Sequence, residues 1–175
     1  GLWPLPYGVS YNSYLVVDEK IALVDTVESG FEDEYIANIY EAIGDRPIDY
    51  LVVNHMEPDH SSLTAYMLEK YPQMKIVANA KTVPMLKGYY GTDEDRILVM
   101  KDGESLSLGG CTLNFHMVPM VHWPETMVTY LEEEHTLFSG DAFGTFGNVD
   151  KNVIDDEENF LIVMDFIEGN TLEKV

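Results

Sequence analysis

The segment His55-Met56-Glu57-Pro58-Asp59-His60 constrains this 175-residue chain more than any other. It places two imidazoles and two carboxylates directly after Tyr50-Leu-Val-Val53, an apolar, β-branched run that reads as a buried strand. Groups this polar at the end of a buried strand are costly to desolvate unless a cation offsets the cost. Two later positions offer ligands of the same kind. His122 stands in Met120-Val-His-Trp-Pro124, and Asp141 follows the strand-like Thr136-Leu-Phe-Ser139 through Gly140. The six candidates His55, Glu57, Asp59, His60, His122 and Asp141 predict a site for two metal ions.

Spacing divides the loop. Side chains two apart can converge while the next pair faces elsewhere, so His55 and Glu57 suit one ion and Asp59 and His60 a neighbour. Pro58 stiffens the turn between the pairs by fixing its own φ. Asp141 is the natural bridge, since a carboxylate can give one oxygen to each cation. The remaining histidines, His116 and His135, are expected in structural or surface roles. Trp123 and Pro124 are expected to hold the His122 loop by packing, with substrate stacking as the lesser reading, and Tyr89-Tyr90 to serve core and surface packing.

The front half alternates strand and helix. Strands are expected at Val9–Val17 and Ile21–Asp25, then a helix over Ser29–Ile43 whose Phe31, Tyr35, Ile36, Ile39 and Ile43 recur at helical spacing, with Gly44 as its stop. After the motif loop, Ser61 and Ser62 offer an N-cap for a helix running to about Tyr71, ended by Pro72. A strand at Lys75–Ala78 and a helix at Lys81–Tyr89 follow. The back half is a run of hairpins: Arg96–Val99, Ser105–Leu108, Cys111–Met117, Met127–Leu131 and Thr136–Ser139. Asp102-Gly103, Gly109-Gly110 and Glu132–Glu134 supply its turns. Layered sheets with helices outside accommodate both textures.

A net charge of −21, from 31 acidic and 10 basic residues, argues against a nucleic-acid partner, which needs a basic face. The acidity reads as a solvated surface, with docking to a basic protein as the lesser alternative. The run Phe160-Leu-Ile-Val-Met164 is too short to span a bilayer, and no basic, apolar leader opens the chain. Cys111 alone allows no internal disulfide; it fits a reducing, cytoplasmic setting and reads as a buried, inert thiol. Phe166 and Ile167 extend the apolar segment near the end into an expected surface of self-association, with packing on its own domain as the alternative.

The loop resembles that of the metallo-β-lactamase superfamily, His-x-His-x-Asp-His, but carries Glu57 where the second His would stand. That substitution is the mark of the flavodiiron proteins, or A-type flavoproteins. Pro119-Met-Val-His-Trp-Pro124, Ser139-Gly-Asp-Ala-Phe-Gly144, Gly8-Val-Ser-Tyr-Asn-Ser-Tyr14 and Ile21-Ala-Leu-Val-Asp-Thr26 are similar to that family too. The resemblance runs from about Leu2 to about Asp156. It implies an α/β (α+β) fold, the four-layer αββα sandwich, here incomplete at both ends. It also implies a non-haem diiron site. His55, Glu57, His122 and bridging Asp141 would hold one iron; Asp59, His60, Asp141 and a further His would hold the other. In such proteins FMN on a flavodoxin-like domain passes electrons to the irons, which reduce O2 to water or NO to N2O; the electron donor is that domain or a rubredoxin-type protein. Head-to-tail homodimers bring the FMN of one chain to the irons of the other. The added carboxylate is consistent with iron, being a hard, anionic donor in place of a nitrogen.

No His follows His135, and the chain begins at Gly1 and ends at Val175. Residues 1–175 are therefore expected to be a fragment, the diiron domain without its last ligand and without the flavodoxin-like domain, inactive alone. Two other readings compete with the oxidoreductase. One is a hydrolase of the same superfamily, in which metal-activated water attacks an ester, thioester or lactam; Glu57 counts against it. The other is a folded remnant that turns over nothing.

Overall fold

The computed structural model describes residues 11–143. The apolar segment Phe160–Ile167 and the expected strand start at Val9 lie outside them. The elements run β1 (Tyr14–Val17), β2 (Ile21–Val24), α1 (Glu32–Ile43), β3 (Tyr50–Val52), α2 (Pro58–Ser61), α3 (Thr64–Lys70), β4 (Lys75–Asn79), α4 (Thr82–Tyr90), β5 (Ile97–Met100), β6 (Ser105–Ser107), β7 (Thr112–Met117), β8 (Met127–Leu131) and β9 (Thr136–Phe138). Short 3-10 turns cover Glu94–Arg96 and Gly140–Phe143.

The alternating half forms a sheet ordered β1-β2-β3-β4-β5, antiparallel at β1–β2 and parallel from β2 to β5. The middles of its central strands, Ile21–Val24, Leu51-Val52 and Ile76-Val77-Ala78, are apolar throughout because both faces are covered. Ile21, Leu23, Leu51, Val53, Ile76 and Ala78 turn to the helices, where Tyr35, Ile39 and Ile43 of α1, Met67 of α3 and Leu86 of α4 complete one core. Ala22, Val24, Val52 and Val77 turn the other way, onto Leu113, Phe115, Met127, Leu131 and Phe138. Those residues belong to the hairpin half, an antiparallel sheet ordered β6-β7-β8-β9. The result is a mixed α/β molecule layered α-β-β; among the described residues no helix covers the outer face of the second sheet.

Two sets of hydrogen bonds close the sandwich. At one end the β1–β2 turn meets the β6–β7 turn: the Lys20 N–H donates to Leu108 O at 2.9 Å and the Cys111 N–H to Asp18 Oδ2 at 2.6 Å. Gly109 is required there, since at φ 125° a Cβ would lie 2.6 Å from the Glu19 side chain. At the other end Asn54, just past β3, is bonded to β8 and β9. The Met127 N–H donates to Asn54 O at 3.0 Å, the Thr129 hydroxyl to its Oδ1 at 2.7 Å, and Asn54 Nδ2 to Phe138 O at 3.1 Å. The ends of β3 and β9 are thus drawn together, which is where the candidate ligands lie.

Four local readings change. Arg96–Val99 is not a hairpin strand: β5 pairs in parallel with β4 at the edge of the first sheet, because the crossover through α4 returns the chain in the same direction. Ser61 and Ser62 do not begin a helix. A helical turn already starts at Pro58, whose missing N–H suits the first position, and both serine hydroxyls donate backwards: Ser61 to Met56 O and Glu57 O, Ser62 to Pro58 O. Helix α1 starts at Glu32 rather than Ser29, and the Glu32 carboxylate accepts from the Gly30 N–H. Cys111 falls just before β7 and is half-buried. Gly44 does stop α1, at φ 60°. No helix among the described residues is long and apolar enough to cross a membrane.

Candidate metal centre

Strand β3 ends at Val52, and the chain leaves the sheet through Val53 and Asn54 into His55. His55 is fully buried. Its ring lies against Glu125, also buried, whose Oε1 accepts from the Met56 N–H at 3.0 Å and stands 3.0 Å from His55 Nδ1. The Trp123 ring meets His55 edge-on at 5.2 Å, so the packing role read for Trp123 is visible here. With Nδ1 engaged, Nε2 is the atom presented to the opening.

Four side chains converge there. His55 Nε2 lies 3.3 Å from Glu57 Oε2 and 3.3 Å from His122 Nε2. His122 Nε2 lies 2.9 Å from Glu57 Oε2 and 3.3 Å from Asp141 Oδ2, and the same Asp141 oxygen is 3.7 Å from His55 Nε2. Donor atoms of His55, Glu57, His122 and Asp141 all lie within 4.8 Å of one another. Ligands about 2.0–2.2 Å from a shared ion sit roughly 3–3.6 Å apart at ordinary coordination angles. The observed separations suit that arrangement, and two imidazoles with two carboxylates suit a divalent transition metal.

Asp141 reaches this cluster because Gly140, at φ 53°, turns the chain sharply off β9. Its second oxygen faces another way: Oδ1 lies 2.8 Å from His60 Nε2. Asp59 Oδ2 lies 3.7 Å from the same His60 nitrogen. His60 is held from behind by Asp25, whose Oδ2 is 3.5 Å from His60 Nδ1. Asp25 occupies the left-handed region at φ 55°, with its Oδ1 accepting from the Asn54 N–H at 2.8 Å. The Thr26 N–H and hydroxyl both donate to His60 O.

The electrostatics are those of crowded carboxylates sharing imidazoles. Burial disfavours charge on His60, yet the contact with Asp141 and the nearby Asp25 carboxylate push its pKa up to about 11. Burial also works against the Asp141 carboxylate, but His60, His55 and His122 together hold it below its ordinary value. Asp59 is raised, by burial first and then by Asp141 and Glu57, against the pull of His60. Among the described residues no Lys or Arg forms an ion pair with this group.

All six sequence candidates lie at this end of the sandwich: His55, Glu57, His122 and Asp141 in one cluster, His60 and Asp59 beside it. The site opens to solvent on the His122 side, where that side chain is 55% exposed. His116 and His135 lie elsewhere and are exposed. Two carboxylates, Asp25 and Glu125, were not singled out in the sequence. Each ends a legible segment, Ile21-Ala-Leu-Val24 and His122-Trp-Pro124, but nothing in spacing distinguishes them from surface acids.

Residues 9–169 match the family described as ODP family beta lactamase, and the chain belongs to it. Its fold is metallo-β-lactamase-like, and it is similar to flavodiiron proteins. A nitric oxide reductase from Moorella thermoacetica is 41% identical over 137 residues, covering 78% of this chain and 34% of the relative. Rubredoxin oxygen:oxidoreductase from the anaerobe Desulfovibrio gigas superposes with a TM-score of 0.82 at 32% identity, over 94% of this chain and 42% of that one. The flavodiiron protein from Giardia intestinalis gives 0.75 at 34% identity, over 81% of this chain and 34% of that one. The chain spans about a third of the curated relatives it matches.

Proposed function

We propose that residues 1–175 supply the diiron domain of an oxidoreductase that reduces O2 to water or NO to N2O. The observation that carries this reading is the two-sided Asp141 carboxylate, with one oxygen toward His55 and His122 and the other on His60. His55, Glu57, His122 and Asp141 would hold one iron, and Asp59, His60 and Asp141 would contribute to the other. The iron pair would supply the one-electron chemistry that reduction of O2 or NO requires. The protein's own part is positional. Buried His55 and His60 form the closed wall, His55 with the Glu125 carboxylate at 3.0 Å behind it and His60 with Asp25 at 3.5 Å, while half-exposed His122 and Glu57 border the open side through which a small gas would enter. Glu57 adds charge and a hard oxygen where a hydrolytic zinc site of this superfamily has nitrogen, which supports iron over zinc hydrolysis.

Electrons would come from FMN on a flavodoxin-like domain, or through a rubredoxin-type protein. A homodimer that brings a partner's flavin to this opening, working in the cytoplasm, completes the reading. The test is an anaerobic mixture of the iron-loaded chain with a reduced FMN protein, followed on an oxygen or nitric oxide electrode. Gas consumption that needs the chain, the iron and the donor, and that is lost in His55→Ala, supports it. Hydrolysis of a thioester or lactam by a colourless zinc form, with no gas consumed, overturns it.

A further inference from the structure

Glu125 has no part in the cluster just described, yet its environment is unusual. Its side chain is 1% exposed, whereas among the described residues every other acidic side chain except Asp25 is at least partly exposed. A buried carboxylate that forms no ion pair with Lys or Arg, as here among the described residues, is costly unless hydrogen bonds hold it. Glu125 Oε1 takes two, from His55 Nδ1 and from the Met56 N–H. Among the described residues the other polar atom near His55 Nδ1 is Thr126 Oγ1, at a marginal 3.5 Å. Glu125 Oε2 has no hydrogen-bond partner. One oxygen thus does all the bonding, and it spends it on the ring and on the backbone amide of the next residue. The backbone of Glu125 is fixed separately, its carbonyl accepting from Asn79 Nδ2.

We infer that Glu125 is a positioning residue for the metal centre: by accepting the Nδ1–H of His55 it fixes that ring's tautomer and direction, leaving Nε2 bare toward Glu57, His122 and Asp141. The anionic charge behind the ring makes His55 a stronger donor to a cation in front of it, as carboxylates behind ligating histidines generally do. The geometry accounts for the placement of Glu125 three positions after His122. The turn through Trp123 and Pro124 brings an aimed ligand and the carboxylate that aims its neighbour into one short segment. The inference rests on the metal-centre reading above for its consequence, but its geometric half does not need a metal.

The variants are Glu125→Gln, which keeps an acceptor of the same shape without the charge, and Glu125→Ala, which removes both. Long-range 15N–1H NMR of the imidazoles in the metal-free chain reads the geometric half. The native chain and Glu125→Gln should show a protonated, slowly exchanging Nδ1 on His55; Glu125→Ala should lose the slow exchange. A bare Nδ1 in the native chain, or a signal unchanged in Glu125→Ala, overturns the inference whether or not metal binds. Zinc, a diamagnetic probe that accepts the same ligands, reads the other half by competition with a chromophoric chelator. Affinity should fall about tenfold in Glu125→Gln and up to about a hundredfold in Glu125→Ala. Equal affinities in all three, with folding confirmed by near-UV circular dichroism, overturn it. A native chain that binds no zinc, while its Nδ1–H behaves as stated, contradicts the metal-centre reading and supports the positioning of His55.

Discussion

His60 and Asp141 stand 81 residues apart in the chain and meet at 2.8 Å, Nε2 to Oδ1, while the other Asp141 oxygen looks toward His122 at 3.3 Å. One carboxylate therefore belongs to two groups of donors at once. That is the geometry a carboxylate bridging two ions would use.

Removing the bridge is the sharpest perturbation. Asp141→Ala should reduce iron capacity from two ions per chain to at most one, and should weaken that one by about tenfold or more. Asp141→Asn, which keeps the shape and loses the charge, should fall between it and the native chain. Metal content after anaerobic loading and desalting measures both. Undiminished capacity in Asp141→Ala would place the ions elsewhere.

Glu57→His restores the nitrogen-rich loop of the hydrolytic members of the superfamily. The ratio of zinc to ferrous affinity should rise by about tenfold relative to the native chain, because an imidazole replaces a hard anionic donor. Parallel titrations of the two metals on both proteins give the ratio. An unchanged or lower ratio would mean that Glu57 does not set the metal preference.

Asn54 joins the two sheets beside the site, bonding β8 and β9 through both ends of its amide. Asn54→Ala strands the Phe138 carbonyl and the Thr129 hydroxyl in the interior and should destabilise the fold by about 2–3 kcal/mol in denaturant unfolding. The same variant should loosen iron at the Asp141 position, since β9 leads into it. Stability within about 0.5 kcal/mol of native would contradict the role given to this residue.

Phe115 tests the inter-sheet core independently of the site. It is fully buried between the sheets, and Phe115→Ala should cost about 3–5 kcal/mol. The thermal unfolding midpoint of the metal-free protein would show it, and a loss below about 1 kcal/mol would mean that the sheets do not pack as described.

Much of this was legible in the sequence. Strand and helix order followed from apolar periodicity, and the candidate ligands from their density at strand ends. What escaped had local physical causes. Ser61 and Ser62 have the composition of an N-cap, but Pro58 starts the turn earlier and their hydroxyls are used backwards. Asp25 and Glu125 escaped because a carboxylate that aims a histidine differs from a surface acid only by burial and partner. Both depend on contacts across 35 and 70 residues, between Asp25 and His60 and between Glu125 and His55.

The central claim is that two irons share Asp141. An anaerobic ferrous titration of the native chain, with bound iron counted and the oxidised product examined by electron paramagnetic resonance, tests it most directly. The account predicts two irons per chain, the first held more tightly, and a magnetically coupled pair that is lost in Asp141→Ala. Two uncoupled ions, one ion per chain, or binding indifferent to Asp141 would contradict it.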